Sequence, residues 1–198
     1  TWRFHLIGNS LNHKNMFLSS DYYNDLNELF NSQKLNNIFE KYGYKLVFKP
    51  HPRLNDIITE SGERYLDFFE FGEHIEIAND ETYNSLLNSC DLMITDYSSV
   101  AFDFAYLDKP ILYYQPNDDI PHEIGYFKID TMGFGDVVYE LDDLIEKIEE
   151  CIKSDCKNKE EYTQRINEFF KYHDKNNCKR VYEDITRWFY WTDIKYPS

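Results

Sequence analysis

Glycine is scarce in this chain, with seven in 198 residues. That shortage excludes a repeating glycine-rich phosphate loop. Cations are scarce too: 21 Lys and Arg against 36 Asp and Glu leave a formal net charge of −15. A surface of that sign does not track a nucleic-acid backbone or adhere to an anionic membrane, so no nucleic-acid partner is expected. No apolar run approaches the roughly 18–20 residues that span a bilayer, and no signal-peptide pattern is present. The four cysteines, Cys90, Cys151, Cys156 and Cys178, include no C-x-x-C pair and lack zinc-ligand spacing. They read as reduced thiols in a cytoplasmic protein. No metal cluster is evident and no cofactor is called for, although an acidic site could recruit a divalent ion to a pyrophosphate. The first residue is Thr1, and Thr1-Trp2-Arg3 reads as the middle of a longer chain. What is abundant is apolar: 42% hydrophobic and 18% aromatic residues exclude a disordered acidic tail and suffice for the core of one domain over residues 1–198.

The hydrophobic periodicity predicts helices over 21–42 and 80–90 and a broken helix over 55–71. Short apolar strands are expected at 44–49, 74–78, 91–95, 111–114 and 137–138. A serine-capped helix spans 100–107, and three helices follow at 141–152, 159–172 and 176–189. Strands alternating with helices predict an α/β fold, a Rossmann-like parallel sheet flanked by helices with a helical C-terminal segment. The strands lack polar alternation, as strands buried on both faces do. Residues 115–135 form one long loop, a length more often functional than not.

In an open parallel sheet ligands bind beyond the carboxyl ends of the strands. Four polar clusters compete for that place. Lys49-Pro50-His51-Pro52-Arg53 gathers an ammonium, an imidazole and a guanidinium at a strand end. They suit a phosphate-facing site with His51 as donor or proton carrier, or simply a solvated turn. Asp96-Tyr97-Ser98-Ser99 precedes an apolar helix, whose first N–H groups attract anions; an ordinary helix cap explains the same residues. In the long loop, His122, Glu123, Gly125 and the pair Gly133 and Gly135 suit close approach to a flat ligand such as a nucleobase, or a surface loop with two turns. At the start of the late helix, Asn176 or Asn177 is a cap, and Arg180 clamps a phosphate or pairs with Glu183 or Asp184.

Taken in order, four stretches carry a resemblance. They are Thr1-Trp2-Arg3, Lys49-Pro50-His51-Pro52, the run from Ile94-Thr95-Asp96-Tyr97-Ser98-Ser99 to Phe102-Asp103-Phe104, and residues 174–180. Together they resemble the CDP-glycerol glycerophosphotransferase family of teichoic-acid primases and polymerases. The Thr-Asp-Tyr-Ser-Ser stretch is the most specific. The resemblance implies the C-terminal, donor-binding half of a GT-B enzyme, with the acceptor face on an N-terminal half. It implies His51 as the catalytic histidine on the donor side. Arg3, Lys49, Arg53, Asp96, Ser98, Ser99, Asn177 and Arg180 are then donor and phosphate contacts, and His122, Gly125, Gly133 and Gly135 form a nucleotide loop. The sequence departs from the family pattern at Phe4, at His122-Glu123-Ile124-Gly125, at Gly133-Phe134-Gly135 and at Lys175. Those departures leave the head group open between glycerol, ribitol and another nucleotide-linked group.

The implied reaction moves glycerol phosphate from CDP-glycerol to an acceptor hydroxyl and releases CMP. The partners are then a cytidine-nucleotide donor and a polymer or lipid-linked acceptor, with the longer protein peripheral at the inner face of the membrane. If His51 acts as an imidazolium, activity falls as pH rises through its pKa. Two rival readings are a GT-B glycosyltransferase using a CMP- or UDP-sugar, and an interaction domain that has lost its chemistry.

Overall fold

The computed structural model describes residues 6–8, 10–116 and 126–193. The chain opens with three helices, α1 (Leu11–Leu18), α2 (Asp21–Asn31) and α3 (Gln33–Tyr42). Next come β1 (Leu46–Phe48), α4 (Pro52–Asp56), a 3-10 turn (Tyr65–Phe68), β2 (Ile75–Ile77) and α5 (Tyr83–Ser89). Then β3 (Met93–Thr95), α6 (Val100–Tyr106), β4 (Ile111–Tyr114), α7 (Ile129–Met132) and β5 (Gly135–Val138) follow. Three helices close the chain: α8 (Leu141–Lys153), α9 (Glu160–Phe169) and α10 (Asn177–Asp193). No described helix is long and apolar enough to cross a membrane.

Among the described residues every strand ladder is parallel, with β1 beside β2, β3 beside β4 and β4 beside β5. The α/β expectation therefore holds, with one refinement: the strands form two sheets, β1-β2 and β3-β4-β5. Among the described residues β1 and β3 each pair on one side only, and a cleft of about 1040 Å³ lies along both strands. This explains why β4 is buried at all four positions whereas β1 and β3 are only half-buried.

β4 sits between two apolar layers because successive side chains point to opposite faces. Leu112 and Tyr114 join Leu144, Ile145 and Ile148 of α8 and the aromatic cluster of α1 to α3. Ile111 and Tyr113 join Ala101 and Phe104 of α6, Phe134 and Ile166 of α9. In the first layer Phe17 and Tyr65 meet edge to face, with ring centroids 4.9 Å apart. The Tyr65 hydroxyl donates to the Gly8 carbonyl at 2.6 Å.

Local chemistry corrects three boundaries. Residues 21–42 are two helices, because Ser32 leaves the helical backbone (ψ 114°) and accepts from Leu35 N–H to start α3. Residues 55–71 are mostly not helical. Gly62 turns there with φ 84°, Ile58 bridges Arg64 in antiparallel fashion, and Arg64 and Asp67 cap the 3-10 turn. The expected loop over 115–135 contains α7, flanked by Phe127 and Phe134 packed against Phe102.

Gly135 shows how closely β5 approaches β4: a Cβ there would lie 1.8 Å from the Ile111 carbonyl oxygen. Substituting Gly135→Ala is expected to cost about 1–3 kcal/mol or more by overpacking against backbone. Gly43→Ala, at a left-handed helix end (φ 72°) with nothing within 4 Å, is expected to cost about 1–2 kcal/mol. Urea unfolding of the two variants checks the order; a Gly135→Ala protein as stable as the parent contradicts the close approach.

Candidate functional site

The cleft's polar mouth is built from two chain reversals at strand ends. After β1, Pro50 ends the ladder and His51 begins α4 as its cap, with Pro52 at the first helical position, where a missing N–H costs nothing. His51 Nδ1 accepts a hydrogen bond from Arg53 N–H at 3.3 Å. That bond requires Nδ1 to be unprotonated, so the proton of the neutral ring resides on Nε2. Partial desolvation, and then the Arg53 guanidinium, hold the His51 pKa below its usual value. Both effects disfavour the imidazolium.

After β3, Asp96 Oδ1 accepts from Tyr97 N–H at 2.7 Å, and Ser98 Oγ accepts from Val100 N–H at 3.3 Å. Ser98 is thus the hydroxyl that caps α6, while Ser99, exposed at the helix start, makes no side-chain cap bond. Accepting a bond through oxygen leaves the Ser98 O–H as a donor. Gln115, buried immediately after β4, ties this loop in place. Its Nε2 donates to the Asp96 carbonyl at 3.3 Å, and its N–H donates to Val138 O at 2.9 Å. Sequence reasoning missed Gln115; the available signal was a polar residue directly following a buried strand.

Five of the anticipated residues line this one cleft: Lys49, His51, Asp96, Ser98 and Ser99. Tyr83 and Tyr97 line it with them. Lys49 is committed to structure, because its ammonium donates to Ala78 O at 3.0 Å and Glu81 O at 2.9 Å. Those bonds clamp the end of β1 to the loop after β2. Arg53 does not line the cleft; its backbone N–H caps onto His51 and its charge acts on that ring.

The structure does not bring the remaining described candidates to the cleft. Arg180 pairs with Asp174, donates to Asn177 Oδ1 at 2.7 Å and lies 3.7 Å from the Tyr172 ring centre. Tyr106, the last residue of α6, bonds the Tyr172 and Asp174 carbonyls. Arg180 and Asn177 therefore stand at the end of α6 remote from Ser98, along a seven-residue helix about 10 Å long. Gly133 and Gly135 lie at the start of β5, where a Cβ would strike the Ile129 and Ile111 carbonyls. Close backbone packing accounts for both glycines. Arg3, His122 and Gly125 lie outside the described residues.

The His51 geometry carries a titration prediction. Its folded pKa is lowered from 6.5, so the ring charges only as pH falls below that value. Protonation then disfavours the Nδ1 acceptor bond and destabilises the cap. Histidine NMR titration should show His51 with a midpoint below 6.5, and Arg53→Ala should raise it. A midpoint above 6.5 contradicts the cap geometry.

Comparison with known proteins places the chain in a family. The family model for CDP-Glycerol:Poly(glycerophosphate) glycerophosphotransferase matches residues 1–187. The minor teichoic acid biosynthesis protein GgaB of Bacillus subtilis is 37% identical over 170 residues, which are 85% of this chain and 18% of that protein. The teichoic acid ribitol-phosphate polymerase TarK of Staphylococcus aureus is 26% identical over 157 residues, 78% of this chain and 29% of that protein. The teichoic acid poly(glycerol phosphate) polymerase of Bacillus spizizenii is 27% identical, covering 72% of this chain and 34% of its own length. The solved structure of the wall teichoic acid polymerase TagF overlays with a TM-score of 0.44 at 15% identity, covering 86% of this chain and 50% of that one. The chain spans about a third or less of the length of these curated relatives, and it belongs to the CDP-glycerol:poly(glycerophosphate) glycerophosphotransferase family.

Proposed function

We propose that this chain is the donor-nucleotide-binding domain of a longer, GT-B-type transferase. In this reading the enzyme moves glycerol phosphate from CDP-glycerol to an acceptor hydroxyl of a teichoic-acid-like polymer and releases CMP. The observation that carries the reading is the convergence of His51, Ser98 and Ser99 on one cleft beyond β1 and β3, in a chain matched by the family model over residues 1–187. A cytoplasmic location, with the longer protein peripheral at the membrane, goes with it.

Phosphoryl transfer depends mainly on in-line positioning and on compensating the charge of the leaving group. This cleft meets that need with neutral donors. The Ser98 and Ser99 hydroxyls flank the first turn of α6, and a neutral His51 offers Nε2–H. Donors fixed in a partly desolvated site stabilise developing charge on the departing CMP phosphate without reorganising. Asp96 accepts hydrogen bonds and offers none when ionised, so it suits a hydroxyl of the donor better than its phosphates. The group that takes the proton of the acceptor hydroxyl is assigned to the part of the longer protein that presents the acceptor.

The neutral-ring role reverses the pH dependence that an imidazolium would give. With the His51 pKa lowered, activity of the longer enzyme should be retained at neutral pH and lost as pH falls through that pKa.

Isothermal calorimetry tests the binding claim on the chain itself. CDP-glycerol and CMP should bind with dissociation constants no weaker than about 1 mM, roughly −4 kcal/mol. Ser98→Ala should weaken that binding, since each lost hydrogen bond to a charged group costs about 1.5–3 kcal/mol. In the longer enzyme His51→Ala should reduce turnover by about 10²-fold or more. Absence of heat with either cytidine ligand at millimolar concentration overturns the donor-site assignment, and unchanged turnover by a folded His51→Ala enzyme overturns the role of His51.

A further inference from the structure

A second pair of chemically active side chains lies at the end of the cleft remote from His51 and Ser98. α8 ends at Lys153, and two backbone bonds close its C-terminus. Cys156 N–H donates to Cys151 O at 2.9 Å and Asp155 N–H donates to Ile152 O at 3.0 Å. Asp155 and Cys156 both take left-handed backbone, with φ of 60° and 47°. These are the wide and narrow bonds of a Schellman cap, in which the side chains at the two ends of the wide loop meet. In such caps that meeting is frequently a contact between two hydrophobic residues. Here both partners are cysteines, and neither is bridged. Cys156 also lines the cleft, and its Sγ lies 3.8 Å from the Tyr44 hydroxyl.

We propose that Cys151 and Cys156 form a dithiol that closes reversibly to an intrachain disulfide by exchange with a low-molecular-weight disulfide of the glutathione type. Cys156, which reaches the cleft, loses its proton and attacks one sulfur of the small disulfide. A mixed disulfide forms and one small thiolate leaves. Cys151 then gives up its proton and attacks the Cys156 sulfur, expelling the second small thiolate. The protein loses two protons and two electrons, which convert one small disulfide into two small thiols. Burial, and then Cys156 itself, push the Cys151 thiol up to about 12; it holds its proton at neutral pH, so it is the poorer first nucleophile, and its later attack depends on the cap holding it against the Cys156 sulfur.

The cap supplies what such a pair needs. Its backbone hydrogen bonds hold the two residues face to face before oxidation, so little order remains to be imposed. The loop that the bond closes is short, and short loops gain least from closure entropy. The disulfide is therefore expected to be easily reduced again, as exchangeable bonds are.

The experiment is oxidation of the folded chain with glutathione disulfide, quenching with N-ethylmaleimide, and peptide mapping by mass spectrometry without reduction. The expected map shows Cys151 and Cys156 joined, short of two hydrogens and unalkylated, and dithiothreitol restores both thiols. In Cys151→Ser the glutathione adduct should accumulate on Cys156, because the resolving thiol is gone. Exposed Cys178 reports in the same map that the oxidant reached the protein. Glutathione on Cys178 with Cys151 and Cys156 both alkylated overturns the proposal, and so does a bond from Cys156 to Cys90. The wild-type map alone decides, and it does so whether or not the cleft binds a nucleotide.

Discussion

Four consecutive buried residues, Ile111 to Tyr114, hold this molecule together. They form the strand that is hydrogen-bonded on both edges, to β3 and to β5, and packed on both faces. Each side chain contributes about 1.5–3 kcal/mol on full burial, but the alternation matters more than the sum. Leu112 and Tyr114 commit α8 to one face, and Ile111 and Tyr113 commit α6 and α9 to the other. Tyr113 reinforces this by accepting the Phe134 N–H on its hydroxyl at 3.4 Å. The position of α6, and hence of Ser98 and Ser99, follows from the packing of Ala101, Phe104 and Ala105 against this strand.

The same constraint explains the cleft. β4 satisfies one edge of β3, and no described strand pairs with the other. β1 likewise spends one edge on β2. Between them lies a mostly apolar space, with Lys49 and His51 after β1 and Asp96 to Ser99 after β3 among its polar lining. In a chain with net charge −15, the Ser98, Ser99 and His51 side chains on this lining are groups able to donate. Its few cations are largely spent on other work: Lys49 binds two carbonyls, Lys109 binds the Leu87, Asn88 and Cys90 carbonyls, and Arg180 answers Asp174. In the proposed function, phosphate recognition therefore rests on the neutral donors Ser98, Ser99 and His51 rather than on cations.

Much of this was legible in the sequence. Strands rich in Val, Ile, Leu and aromatics, each followed by an apolar-striped helix, specify a parallel α/β sheet, and β2, β3, β4, α6 and α8 fall within a residue or two of their expected places. Lys49-Pro50-His51-Pro52 and Asp96-Tyr97-Ser98-Ser99 pointed to the cleft because prolines and capping serines mark strand ends. What could not be read was long-range. Nothing local distinguishes a glycine kept for a ligand from Gly135, kept for the Ile111 carbonyl. Nothing in the 174–180 stretch says that Arg180 turns to Tyr172 and Asp174. The split of the sheet is equally invisible, since β1 and β4 have similar apolar character and differ only in their neighbours. Residues 55–71 misled because Tyr65, Leu66 and Phe69 have helical spacing, yet a turn at Gly62 and the Arg64–Asp67 cap leave room for a single 3-10 turn.

Helix capping connects the structural residues with the chemical ones. Ser10, Ser20, Ser32 and Thr82 each accept the N–H three residues on and start a helix. That bond uses an oxygen lone pair and leaves the O–H as a donor. Ser98 makes a similar bond at α6, so its structural duty does not compete with donation into the cleft. His51 performs the capping duty with a ring nitrogen, and the consequence is sharper. Once Nδ1 accepts the Arg53 N–H, the neutral ring has only one place for its proton. The bond that starts α4 thus also sets the tautomer, leaves Nε2 as the ring's donor and disfavours the charged form. A side chain recruited to end a strand acquires by that act the protonation state on which its proposed chemistry depends. Capping is therefore no argument against function at His51 or Ser98; the decisive question is whether the capped end opens into the cleft, and at both positions it does.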